Sequence, residues 1–211
     1  MKKSLQLLII ATLTFTFAFT GQATSKKVYN GYVVTISNET IHGQIQMLSP
    51  TLNEVKVKFI HKNGKKEIFK AKNLKAYSFQ VPVYNKATKS RQLQWITYTR
   101  KNVERSPLPF GTKEVLLEQL EKGQINLYNH YVETRSGQYA FNHFFYLEKG
   151  DEMIKVSRKN FKKTVKNLVA DYPELRAKVG KKGYGYKYMA KIITEYNNYN
   201  SPKNGQFLGM K

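Results

Sequence analysis

The groups from which this 211-residue chain might assemble a reaction centre are four histidines and fourteen carboxylates, with no cysteine. His42, His61, His130 and His143 show neither H-x-x-x-H nor H-x-x-E-H spacing, the patterns that present two imidazoles on one helix face. His130 and Glu133 stand three apart, which on a strand places them on opposite faces. His61 lies among lysines that would repel a metal ion. Zinc asks for three or four convergent ligands, and the spacing suggests none. Glu114 with Glu118, or Glu118 with Glu121, would form a carboxylate pair if that stretch were helical. A glycosidase, however, needs its two acids about 5–10 Å apart across a cleft, and acids on one short element read as a solvated face. There is no G-x-S-x-G elbow, and Ser106 precedes a proline with no histidine near it in sequence. Gly183-Tyr184-Gly185 lacks the lysine and Ser/Thr of a phosphate loop. Without cysteine there is neither a disulfide framework nor thiolate chemistry. The expectation is a non-enzymatic protein with no catalytic, metal or cofactor site.

What remains is cationic and aromatic. The formal net charge is +22, with fifteen tyrosines, twelve phenylalanines and a single tryptophan. Residues 55–72, VKVKFIHKNGKKEIFKAK, read as a β-hairpin. Val55, Val57 and Phe59 alternate with Lys56 and Lys58, and Phe69 and Ala71 alternate with Lys70 and Lys72, the period of a half-buried strand. A two-residue Asn63-Gly64 loop would set Val57 against Lys70. A three-residue loop, Lys62-Asn63-Gly64, sets Val57 against Phe69 and Val55 against Ala71, with Gly64 in the left-handed position of a bulged turn. The second register keeps the apolar residues together at the expense of Lys56 facing Lys70, a like-charge pair that costs up to ~1 kcal/mol. Lys56, Lys58, Lys70 and Lys72, with Lys65 and Lys66 at the tip, are the candidate polyanion-binding residues; the same lysines also serve as a solubilising edge. A second candidate patch interleaves cations with rings at Lys181, Lys182, Tyr184, Tyr186 and Lys187, a composition that can stack bases and neutralise phosphates. Its tyrosines equally suit packing on a sheet.

These residues need elements to hold them. Residues 1–23 have a short basic start, an apolar run and small residues before Ala23, which reads as a Sec-type signal peptide. No cysteine follows the run, so a lipid-anchored lipoprotein is not expected, and no later stretch is apolar enough to span a membrane. Residues 24–157 read as an antiparallel β domain. Its strands run over 28–37, 40–47, the lysine hairpin, 73–83, 91–100, 114–120, 125–131, 138–148 and 153–156, with a joint at the two prolines of 106–111. The stretch 114–120 also fits a helix; alternation in the run that follows favours a strand. The run 138–148, apolar on both faces, is the candidate for a central strand, and Ser49-Pro50 is read as the start of a loop. From Asn160 the period changes. Phe161, Val165, Leu168 and Val169 make one helical stripe with Asn160 as N-cap, Pro173 opens a second helix that Gly180 ends, and Met189, Ile192, Ile193 and Tyr196 make a third. Residues 158–200 are thus a helical cap packed on the sheet, and 201–211 a flexible tail. The fold class is α+β, a sandwich-like or part-barrel antiparallel body followed by helices.

Four pieces are similar to a widespread group of secreted proteins of unknown function from Bacteroidetes-type bacteria. They are G-x-V-V-T-x-x-N-E-T-I-x-G at residues 31–43, G-x-I-x-L-Y at 123–128, D-x-P-E-L at 171–175 and E-Y-N at 195–197. Members of that group often carry cysteine between the aspartate and proline; Tyr172 stands there instead. The resemblance implies an envelope or secreted location and no reaction. The expected function is that of an exported, periplasmic, outer-membrane-associated or extracellular binding protein. Its partner would be an anionic polymer or envelope surface: a glycolipid phosphate, an acidic polysaccharide or a nucleic acid. The alternatives are a small subunit of a surface or secretion apparatus docking on a protein, and a hydrolase of envelope polymers.

Overall fold

The computed structural model describes residues 27–104, 113–133 and 141–201. The signal segment, the proline joint at 106–111, the first residues of the aromatic run and all but Ser201 of the tail lie outside the described residues. The chain forms β1 (Val28–Thr35), β2 (Thr40–Gln46), α1 (Pro50–Val55), β3 (Lys56–His61), β4 (Lys66–Lys70), β5 (Leu74–Asn85), β6 (Ser90–Asn102), β7 (Glu114–Glu121), β8 (Asn126–Glu133), β9 (Phe141–Lys149) and β10 (Glu152–Val156), then α2 (Phe161–Leu168), α3 (Pro173–Lys178) and α4 (Met189–Asn200). The class is α+β. All the strands join one open antiparallel sheet in the order β10-β9-β8-β7-β6-β5-β1-β2-β3-β4. Among the described residues no helix is long and apolar enough to cross a membrane.

The connection from β4 to β5 dictates the shape of the sheet. In a flat sheet four strand spacings, about 19 Å, would separate these two strands. Only Ala71–Asn73, one turn of 3₁₀ helix, joins them, and the four steps from Lys70 to Leu74 span at most about 14 Å. The first five strands must therefore curl until the end of β4 meets the start of β5, and the Ile36 N–H donates to the Asn73 carbonyl at that corner. Val33, Ile45, Val57, Phe59, Phe69, Leu74, Tyr77, Phe79 and Tyr98 fill the concave side. Gly31 and Gly43 face each other across β1 and β2. A Cβ on Gly31 would lie 2.2 Å from the Ser78 carbonyl oxygen, and one on Gly43 2.4 Å from that of Ile60, so only glycine allows these strands to approach.

The far half of the sheet is covered on both sides. Ile125, Leu127, Phe145, Leu147 and Val156 pack against Phe161, Val165, Leu175, Met189, Ile192, Ile193 and Tyr196 of the helical segment. Val115, Leu117, Tyr128 and Tyr146 form a separate cluster on the opposite side. This corrects the placement of the aromatic run. β9 is next to the edge strand rather than central, and both its faces are apolar because helices cover one of them.

Three local expectations are also corrected. Ser49-Pro50 opens the helix α1 rather than a loop; proline in a first turn has no N–H to leave unpaired, and the Asn53 side chain bonds the Leu48 N–H and carbonyl. β4 ends at Lys70, so Ala71 and Lys72 belong to the 3₁₀ turn and Val55 to α1. Asn160 sits at the α2 N-cap position without bonding a helix N–H. Its Oδ1 accepts the Ser157 N–H at 2.7 Å and its Nδ2 donates to the Lys155 carbonyl at 3.0 Å, which fastens the β10–α2 corner instead.

Candidate functional site

The lysine hairpin has the register that the three-residue loop requires. Val57 faces Phe69, Lys58 faces Ile68, and Lys56 faces Lys70. The His61 N–H donates to the Lys65 carbonyl, and Gly64 has φ +82°, the left-handed turn position. Because directly opposed residues share a face, Lys56, Lys58, Lys66 and Lys70 project outward together, with Ile60 and Ile68 between them. Lys65 lies in the turn and Lys72 in the 3₁₀ turn, so these two flank the group without belonging to it. None of the six makes an ion pair with another described residue, although every Asp and Glu of the chain is described.

The register carries this outward face across six strands. Lys58 faces Gln46, Ile60 faces Gln44, Gln44 faces Asn30, His42 faces Tyr32, Tyr32 faces Ser78, and Gln80 faces Trp95. From β4 to β6 no carboxylate occupies it. Glu67 takes the other face of β4, where its Oε2 lies 2.7 Å from His61 Nε2. Residues 27–103 hold fourteen Lys or Arg against only three acids, Glu39, Glu54 and Glu67. The result is a surface with a cationic edge, an amide strip and an aromatic strip.

The second basic-aromatic stretch is differently placed. Tyr186 Oη donates to the Val156 carbonyl at 3.2 Å, and its ring packs on Phe145 and Phe161. Tyr184 Oη donates to Glu195 at 2.9 Å, and Lys191 Nζ lies 4.0 Å from its ring centroid. Lys181, Lys182 and Lys187 are exposed, but the two rings between them are held by the helical segment. The motif residues nearby are spent in the same way. Asn197 bonds both the N–H and the carbonyl of Ile125 at 2.9 Å, and a Cβ on Gly123 would lie 2.5 Å from Asn197. Tyr196 Oη donates to Asp171 at 2.7 Å. Thus the pieces at 123–128, 171–175 and 195–197 meet one another where the helices dock on the sheet.

The other acids considered for chemistry are also engaged. Glu114 pairs with Arg100 at 3.2 Å, Glu118 accepts from Asn129 at 3.1 Å, and Glu121 accepts from Thr194. Glu148 is bound by Lys101, Tyr128 and Asn126. Burial pulls its carboxyl upward, but these donors together outweigh burial and hold it below the usual carboxylate range.

One constellation has no counterpart in the sequence reading. Glu54 of α1 and His130 of β8 are both fully buried. Glu54 Oε2 lies 2.8 Å from His130 Nδ1, and its Oε1 accepts the Tyr131 N–H at 2.8 Å. Burial pushes the Glu54 carboxyl up to about 7 against the opposing pull of His130 and the Tyr131 N–H. Burial, with the nearby Glu118 and Glu54 charges, also raises Tyr98 and Tyr77 well above 10. Since 76 residues separate the pair, no local pattern could reveal it. It bolts α1 into the curl of the sheet, where Tyr77 Oη adds a bond to the Asn53 carbonyl. The chain matches no family model, no curated protein and no solved structure.

Proposed function

We propose that the protein is an exported, non-catalytic binding protein whose lysine-edged sheet face docks on an anionic polymer at the cell envelope. One observation carries the reading: Lys56, Lys58, Lys66 and Lys70 are registered on one face that contains no carboxylate from β4 to β6. A solubilising coat needs no such segregation, and surface charges of both signs usually intermix. Segregated cations raise the local concentration of polyanions and speed their capture. Export rests on the signal-like residues 1–23, and the resemblance to secreted proteins agrees with it. The hydrolase alternative draws least support, because among the described residues the one close imidazole–carboxylate pair besides His61–Glu67 presents no surface to solvent. The protein-docking alternative draws on Leu93, Tyr84 and Val83, apolar side chains exposed on the β5–β6 hairpin.

The test compares two triple variants of equal charge change on immobilised acidic polysaccharide. Lys56→Glu/Lys58→Glu/Lys70→Glu should abolish retention at physiological salt. Lys181→Glu/Lys182→Glu/Lys187→Glu should elute close to the wild type. Equal losses in the two would reduce the interaction to net charge and refute a defined face.

A further inference from the structure

The same face holds a feature that cations do not explain. Trp95, the only tryptophan, is 49% exposed. Its ring centroid lies 5.5 Å from that of Tyr32, which lies 5.6 Å from His42, and its indole N–H has no partner among the described residues. Beside it is a hollow of about 610 Å³, within the size range of small-ligand sites. The backbone of Gly31 and Gly43 contributes to its lining, with Asn30, Gln44, His42 and Lys62 around it.

We infer that this hollow is a sugar subsite for an acidic polysaccharide, with Trp95 as its stacking platform and the β3–β4 lysines engaging acidic groups further along the chain. The inference rests on the polyanion reading above and names its substrate class. A pyranose ring offers a face of polarised C–H bonds, which suits the negative face of an indole. Its rim of hydroxyls both donates and accepts, and an amide side chain does both through separate atoms. Asn30 and Gln44 bring two such amides to the hollow, and Lys62 is the one lysine or arginine in its lining. Four strand spacings, about 19 Å, separate Trp95 from the lysines of β3. A polymer laid across the strands therefore reaches both. A single-stranded nucleic acid fits less well. Its stacked bases each bring a phosphate, and the grooves that hold it interleave rings with cations, whereas here the clustered lysines are on β3 and β4, four and five strand spacings from Trp95 on β6.

The experiment uses the full chain and its single tryptophan as the reporter. Oligogalacturonate is titrated at low salt, with inorganic polyphosphate and oligo(dT) of equal charge as the other arms. Oligogalacturonate should shift the Trp95 emission to the blue and saturate, while polyphosphate should bind with little change in emission. Trp95→Ala should weaken oligogalacturonate about tenfold, as loss of a ring-stacking contact does, and polyphosphate by less than about twofold. If Trp95→Ala does not fold, the wild-type titrations decide alone. Binding of oligogalacturonate with unmoved emission overturns the sugar subsite and leaves the polyanion face standing. A larger emission change with oligo(dT) than with oligogalacturonate overturns the assignment in favour of a nucleic acid. Binding of none of the three overturns the polyanion reading itself, and the subsite with it.

Discussion

Removing the Glu54 carboxylate is the sharpest perturbation of the account that α1 is bolted inside the sheet. Glu54→Ala removes the carboxyl bonded to His130 Nδ1 and the Tyr131 N–H. Losing a buried hydrogen-bond partner costs about 1–3 kcal/mol for each group, about 2–6 kcal/mol for the two, which for a chain of this size lowers Tm by roughly 4–24 °C. Glu54→Gln is more informative because it keeps the shape and stays neutral. The wild-type carboxyl is raised from 4.5 to about 7 in the fold. Between those values the native state holds more protons than the unfolded chain, so the Glu54 contribution to stability falls as pH rises through that window. The loss amounts to about 3 kcal/mol at ~1.4 kcal/mol for each tenfold. Glutamine cannot titrate, so Glu54→Gln should cost on the order of 1 kcal/mol near pH 5 and lose or reverse that penalty by pH 8. Urea unfolding of both proteins across this range, compared as a difference, cancels the other titrating groups. A Glu54→Gln penalty that grows with pH, or a Glu54→Ala cost below about 1 kcal/mol, would refute the reasoning.

Three further outcomes follow from the same geometry. Asn197→Ala should cost about 2–4 kcal/mol by leaving the buried Ile125 N–H and carbonyl unpaired, and hydrogen exchange should rise first in α4 and at the start of β8. Gly31→Ala should destabilise by about 1–3 kcal/mol or more in thermal unfolding, since its Cβ meets backbone atoms that cannot swing aside. Gly64→Ala, with nothing near its Cβ, should cost only about 1 kcal/mol for the positive φ, and the hairpin should keep its polymer retention.

The features legible in the sequence were those written within a few residues. The period of two, together with the penalty for facing Val57 with a lysine, was enough to select the three-residue loop and place Lys56 opposite Lys70. The helical stripes of α2 and α4 were equally plain. Short or distant relations were not. α1 is six residues long, with Thr51, Asn53 and Glu54 as its buried side chains, so it offers no apolar stripe to read. Glu54 and His130 meet only because the sheet curls, and the curl follows from a three-residue connection whose consequence depends on strand order. The similarity of both faces of β9 suggested a central strand because covering helices and neighbouring strands leave the same apolar signature. Trp95 was visible as the lone tryptophan on a strand, but the hollow beside it required Asn30 and Gln44 to arrive from β1 and β2.

The dependence of polymer affinity on salt tests the central claim most directly. Taking ~0.7–0.9 for each charge neutralised, four lysines on one face should make wild-type affinity for an acidic polysaccharide fall on the order of a hundredfold between 50 and 200 mM salt. The Lys56→Glu/Lys58→Glu/Lys70→Glu protein should show a nearly flat response and weak binding throughout. A wild-type affinity that is insensitive to salt, or a triple variant that keeps the wild-type slope, would contradict the assignment of this face.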